Sequence, residues 1–187
     1  IYARYDAPPI TYLRDYQSMY GMDEDEIEHN KEIIVDTLYQ LKIPSEILSV
    51  THGPTVTRYD IEIPGNIPTN RVLSCDKELA MRLHAKDGVN VQTNYENGSI
   101  SIEVPNKQKA TVGLKEVIRS EGFTNAKPGS LMFGMGKDIE GRAICGDITK
   151  MKHLLVAGST GSGKSVCLNA LIISLLYKYS PEDLRII

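Results

Sequence analysis

The sequence predicts an α/β protein in two parts. A small α/β module comes first, followed by the opening strand, phosphate loop and helix of a second domain that the chain leaves truncated. Three observations carry this. Short β-branched runs alternate with segments of helical period up to about residue 122. The character changes at Lys127-Pro128-Gly129, a turn-like boundary. Gly158-Ser159-Thr160-Gly161-Ser162-Gly163-Lys164-Ser165 then fits G-x-x-x-x-G-K-[ST] between an apolar run and a helical one.

Residues 1–22 read as a linker or arm. They hold Pro8-Pro9 and five tyrosines, Tyr2, Tyr5, Tyr12, Tyr16 and Tyr20, with no period. The rings are expected to pack on the next domain rather than stack on bases. A helix starts at Asp23, whose spacing to Glu26 suits a capping box and whose acidic first turn suits the helix dipole. Ile27, Ile34, Leu38 and Leu41 mark its inner face, and Pro44 ends it. Strands follow at Ile47–Val50 and Thr55–Ile63, parted by Gly53-Pro54, with Tyr59, Ile61 and Ile63 on one face. A helix covers Cys75–His84, turning Leu79, Ala80 and Leu83 inward. Asn97-Gly98 joins strands at Val89–Thr93 and Ser99–Val104 as a hairpin. The alternation of Ile100, Ile102 and Val104 with Ser101 and Glu103 predicts a half-exposed strand. A short helix at Gly113–Ser120 is stopped by Gly122. Strands near Leu131–Met135 and Arg142–Cys145 lead to the apolar strand Leu154–Ala157 and to a helix over Val166–Tyr179. The limits expected are an arm over 1–22, an α/β module over 23–127 and the incomplete opening of a nucleotide-binding domain over 128–187.

Composition narrows the function. Apolar residues make up 41% and charged residues 24%, which is ordinary globular usage. The net charge of −3 excludes a generally basic nucleic-acid binder but not a local patch. Lys107–Lys152 has nine Lys or Arg against five Asp or Glu, a mild bias expected to be solvated surface. The longest apolar run, Ala170–Leu176, is broken by Ser174 and falls far short of the roughly 20 residues of a membrane span. Cys75, Cys145 and Cys167 are far apart and share no metal-ligand spacing with the histidines, so reduced thiols in a cytosolic setting are expected. Chain start at Ile1, without Met, suggests a processed or longer natural N-terminus.

The loop Gly158–Ser165 carries the chemistry. Its backbone N–H groups form a concavity for the β-phosphate, and Gly158, Gly161 and Gly163 permit the backbone angles and the close approach. Lys164 is placed for the β- and γ-phosphates of ATP, and the Ser165 hydroxyl for Mg²⁺. Such a match arises by chance on the order of once in a hundred chains of this size. The alternative is a glycine-rich turn with no ligand. Cys167, two residues past Ser165, is a core residue near enough to the nucleotide for alkylation to inactivate. A working ATPase of this class needs a further strand that ends in an acidic Mg²⁺ residue. Asp183 precedes the next strand, Leu184–Ile187, and is misplaced for that role.

Three stretches resemble the FtsK/SpoIIIE DNA translocases: Gly53-Pro54-Thr55-Val56-Thr57-Arg58-Tyr59, Ile102-Glu103-Val104-Pro105-Asn106, and Met151 through Ser165. The resemblance runs from about Ile27 to the end. It implies that the small module is the motor's α domain and that the phosphate loop opens a RecA-like β domain. It implies a hexameric ring that pumps double-stranded DNA with ATP hydrolysis, in the cytoplasmic portion of a bacterial protein anchored in the cell membrane by segments outside this chain. Val89–Gly98 departs from the family's basic, Pro-Gly-containing hairpin, which points to a divergent subgroup. The acidic Mg²⁺ residue, arginine finger and DNA-contacting loops have no counterparts here. Competing expectations are a related ring ATPase of conjugation or protein secretion, and a non-catalytic assembly module. The first is weakened by the α-domain-like stretch at 53–106. Ring size, direction of travel and a role in division, sporulation or plasmid transfer are not encoded in these residues.

Overall fold

A computed structural model describes residues 5–16 and 23–187. Tyr2 and Tyr20 lie outside the described residues. The chain divides into two compact units. One lies within Ser18–Ala110 and includes Ile139–Gly141; the other takes in residues 5–16 of the arm, Thr111–Asp138 and Arg142–Ile187.

The first unit is a four-stranded antiparallel sheet with helices on one face. Helix α1 spans Glu24–Gln40, and its N-cap is Asp23, whose carboxylate accepts the Glu26 N–H at 3.1 Å. The reciprocal half of the expected capping box is not made: Glu26 Oε1 accepts the Lys107 N–H instead, at 3.4 Å. The helix ends before Pro44 is reached. Ile43 N–H bonds Leu38 O and Lys42 N–H bonds Tyr39 O, a Schellman end with Lys42 in the left-handed region at φ 60°. Leu38 and Ile43, the pair such an end brings together, are fully buried. Strands β1 (Glu46–His52) and β2 (Val56–Glu62) pair around the Gly53-Pro54 turn. Two short helices follow, α2 (Thr69–Leu73), absent from the sequence reading, and α3 (Asp76–Arg82). Helix α3 ends in a second Schellman motif, with His84 at φ 51°. Strands β3 (Asn90–Asn94) and β4 (Ser99–Pro105) form the hairpin around Asn97-Gly98, and Gly98 takes φ 69°. The sheet order is β1-β2-β4-β3. Ile34, Leu38, Tyr59, Ile61, Leu79 and Ile102 have no exposed surface and form the centre of this core. Each full burial of such an aliphatic side chain is worth roughly 1.5–3 kcal/mol.

Strand β4 is not half-exposed as its alternation predicts. Ser101 is 2% exposed although it points away from the apolar core. The reason is a polar cluster on the sheet's second face. Asp60, itself 2% exposed, accepts from the Ser101 and Ser49 hydroxyls, at 2.5 Å and 3.1 Å, and pairs with Arg58 Nε at 3.3 Å. The two family-like stretches of this unit also meet. Asn106 Nδ2 donates to Gly53 O (2.9 Å), and the Thr57 hydroxyl donates to Asn106 Oδ1 (2.8 Å) while contacting His52 Nδ1 (2.8 Å). Pro105-Asn106 is thereby fixed to the β1–β2 turn. Gly53 is required there, because a Cβ would lie 2.8 Å from Ile139 O.

The second unit begins earlier than the composition change at Lys127. Helices α4 (Leu114–Ile118) and α5 (Glu121–Thr124) belong to it. They pack on the hairpin of β5 (Met132–Lys137) and β6 (Ala143–Asp147). Gly122 lies inside α5 and does not stop the preceding helix, which already ends at Ile118. Val117, Ile118, Phe123, Phe133 and Leu175 form the small core. Gly134 leaves room for it, since a Cβ would meet Val117 Cγ1 at 2.9 Å. The last helix, α6, spans Lys164–Lys178. It docks on the free edge of β5 through side chains: Gly134 N–H donates to Ser174 Oγ (3.0 Å) and Met132 N–H to the Tyr179 hydroxyl (2.7 Å). Lys178 caps α5 by donating to Phe123 O and lies 4.7 Å from the Phe123 ring centroid; burial pushes its pKa down. Leu154–Ala157, expected as a buried strand, has no ladder partner among the described residues, and Leu155 is 89% exposed. A strand is defined by its neighbour's hydrogen bonds, and no described strand pairs with this segment. No helix among the described residues is long and apolar enough to cross a membrane.

Candidate nucleotide-binding site

The loop Gly158–Gly163 leads straight into α6, with Gly163 as N-cap and Lys164 as the first helical residue. Two of its glycines are needed for their backbone. Gly161 and Gly163 sit at φ 84° and 93°, where L side chains are strained. Gly158 is tight for space, because a Cβ would lie 2.3 Å from Ser162 Oγ and 3.2 Å from Ser162 Cβ, so the serine would have to turn and give way. Ser162 N–H bonds Ser159 O at 3.2 Å and closes the turn. The first intrahelical bond runs from Cys167 N–H to Gly163 O (2.8 Å). The amides of Lys164, Ser165 and Val166 therefore have no partner within the helix and face out of its N-terminus, where the helix dipole favours an anion.

Lys164 is folded back over the loop. Its Nζ donates to Gly158 O and to Ser159 O, the latter at 2.7 Å. The ammonium is thus held at the mouth of the loop by two carbonyls that a phosphate oxygen can outbid with its charge. Ser165 opens the helix beside it and is exposed, as are Ser159 and Thr160. Positive φ at two glycines, a third position tight for a Cβ, and a tethered lysine are the features a phosphate cradle demands, so the residues fit a nucleoside triphosphate. A metal ion fits only through the Ser165 hydroxyl and phosphate oxygens. Among the described residues no group of three or more His, Cys, Asp or Glu side chains could hold one. Asp183 is committed elsewhere: its Oδ2 accepts from the Ser180 hydroxyl (2.7 Å) and the Ser180 N–H (3.1 Å), and these bonds hold its carboxyl below the usual range. Cys167 is exposed rather than in the core, as are its neighbours Val166 and Leu168 on α6.

The structure thus gathers Gly158, Ser159, Ser162 and Lys164 into one contact set, with Gly163 following as the N-cap of α6. The carbonyls that hold Lys164 and the packing of Ser162 on Gly158 have no signal in residue type. Ser174 did have one, since it is the polar break in the apolar run Ala170–Leu176.

Comparison with known proteins also divides the chain between residues 106 and 113, but it takes the arm from residue 7 onward with the first part. Residues 7–106 match the model of the FtsK alpha domain, and residues 113–187 match that of the FtsK/SpoIIIE family. The DNA translocase FtsK of Clostridium acetobutylicum is 40% identical over 186 residues, 98% of this chain and 24% of that protein. That of Clostridium tetani is 40% identical over 186 residues, with 98% and 25% covered. The DNA translocase FtsK 1 of Neisseria meningitidis serogroup A is 36% identical over 184 residues, with 98% and 22% covered. The chain spans about a quarter of the length of these curated relatives. Among solved structures, the monomer form of the pCW3 conjugation coupling protein TcpA with ATPgS aligns at a TM-score of 0.34 and 19% identity, covering 79% of this chain and 42% of that one. Two family models that tile the sequence, and relatives that align with nearly all of it, show that the chain belongs to the FtsK/SpoIIIE family.

Proposed function

We propose that this chain is the part of an ATP-driven DNA translocase that carries the α domain and the phosphate loop. The observation that carries the reading is the loop's geometry within a family match that spans it. In this reading the loop amides and the α6 N-terminus cradle the phosphates across Gly158, Ser159, Thr160, Gly161, Ser162 and Gly163. Lys164 exchanges its two carbonyl partners for the β- and γ-phosphate oxygens and stabilises the charge that develops on transfer. The Ser165 hydroxyl oxygen would be the chain's ligand to Mg²⁺, which when bound would neutralise phosphate charge. In the intact protein the motor assembles as a hexameric ring around double-stranded DNA. It serves chromosome partition in cell division or sporulation and is tethered to the cell membrane by other segments.

Lys164→Ala in the intact motor is expected to abolish ATP hydrolysis, a loss of at least about 10²-fold, as for removal of a preorganised transition-state donor. DNA-stimulated ATPase turnover measures it. Turnover unchanged from the parent would overturn the assignment.

A further inference from the structure

The N-terminal arm is anchored to the unit that holds the phosphate loop. Tyr5 donates its hydroxyl to Leu176 O. Tyr177 donates its hydroxyl to Pro9 O at 3.1 Å. Lys115, with its side chain only 8% exposed, pairs with Asp15 Oδ2 at 2.5 Å. Gly113 receives the Tyr16 ring so closely that a Cβ would lie 2.9 Å from Tyr16 Cδ2. Two of these four anchors fall on the last turn of α6, the helix whose first residue is Lys164.

The anchors answer physical needs of the unit. Leu176 O is one of the terminal carbonyls a helix leaves unpaired. The amide that would have met it, Ser180 N–H, goes to Asp183 instead. Tyr5 therefore acts as the C-terminal cap of α6 from a distance of 171 residues along the chain. Asp15 supplies the counter-charge for a lysine that is out of water, and leaving that ammonium unpaired is costly. Among the described tyrosines of the arm, Tyr5 and Tyr16 serve as anchors, and Tyr16 stays 39% exposed. Tyr12 makes no such anchor and is 77% exposed.

We propose that residues 5–16 are a built-in peptide ligand of the phosphate-loop unit, a brace that fixes the far end of α6 and so sets how Lys164 and Ser165 meet phosphate. A helix of this length is stiff, so an end that is free to tilt moves the other end with it. The effect on nucleotide rests on the phosphate-loop reading above; the seating of the arm does not.

Two full-length variants test it: Tyr5→Phe with Tyr177→Phe, which keeps both rings and removes both bonds to α6, and Asp15→Asn, which removes the counter-charge of Lys115. Tyr12→Phe is the control. The readouts are hydrogen exchange of the α6 amides without nucleotide, and equilibrium binding of a fluorescent ATP analogue with Mg²⁺. Exchange in the last turn of α6 is expected to rise roughly fivefold for each hydrogen bond lost, and the analogue to bind more weakly by a comparable factor. Tyr12→Phe should change neither. Unaltered exchange in both variants overturns the brace, and faster exchange with unaltered binding overturns its coupling to the loop. Failure of the nucleotide reading looks different: the unaltered chain would bind no analogue while its exchange still depended on the arm.

Discussion

Tyr59 lies at the centre of the four-stranded sheet with none of its surface exposed, and its hydroxyl accepts the Asn30 side-chain N–H at 3.3 Å. Burial, opposed by that hydrogen bond and reinforced by the charges of Glu26 and Glu28, pushes its pKa up to about 12. An unfolded tyrosine ionises near about 10, so between these values the folded chain keeps a proton that the unfolded chain has lost. The contribution of Tyr59 to stability is thus complete below pH 10 and is lost as pH rises toward 12. In a spectrophotometric titration, one phenol of the ten should ionise last and together with unfolding. Tyr59→Phe should remove that last step. Ionisation of every tyrosine near the ordinary value, with the fold intact, would contradict this placement. The position of Tyr59 was legible, because it shares strand parity with Ile61. The partner Asn30 was not, because a polar residue on a helix carries no mark of what it will face. Lys164 shows the same limit. Its spacing names its chemistry, but nothing in residue type foretells that Gly158 O and Ser159 O hold it.

Elements divide by where their bonding partners lie. The start of helix α1 was readable because its N-cap bond is local, from Asp23 to Glu26, and Ile27, Ile34 and Leu38 repeat at the helical period. Leu41, expected on the same inner face, is instead the C-cap and is 36% exposed, because the helix ends before it. The β3–β4 hairpin was readable because Asn97-Gly98 marks the turn, although the loop is four residues long, with Asn94 opposite Ser99, so the dipeptide alone does not set the register. Leu154–Ala157 shows the opposite case: an apolar run states a preference for burial, while a strand needs an edge to pair with. Docking of α6 on β5 depends on two side chains that meet unpaired amides across the unit, and there the bonds decide the energetics. Ser174 is fully buried and satisfies Gly134 N–H while donating to Ala170 O. Ser174→Ala should leave that buried amide without a partner at a cost of about 1–3 kcal/mol. A lower denaturant midpoint with an unchanged m-value, and faster exchange of the Gly134 amide, would record it. A midpoint equal to that of the parent would mean that the amide finds another acceptor.

The whole chain joins a sheet unit, closed on one face by helices, to a loop-bearing unit whose core is small. Its family membership was legible because the marked stretches carry out structural tasks: Gly53 and Asn106 bond each other across the sheet, and Gly158–Ser165 builds the loop. The assignment of Thr111–Lys127 was not legible, because Pro128-Gly129 looks like a break while α4 and α5 bury Val117 and Phe123 with the hairpin beyond it. The division of labour within the site leads to a prediction for the 187-residue chain itself. The cradle and Lys164 are in place, so binding of a nucleotide is expected. Turnover needs more. Glu182 and Asp183 are the acidic residues that follow the loop, and Asp183 is tied to Ser180. Arg185 is the arginine that follows it, whereas in related NTPases an arginine brought to the γ-phosphate contributes about 10³–10⁵ in rate. The purified chain is therefore expected to bind Mg²⁺-ATP yet hydrolyse it at least about 10³-fold more slowly than the intact motor, with no response to duplex DNA. Side-by-side ATPase assays of the two proteins decide it, and DNA-stimulated turnover by the chain alone would overturn this expectation.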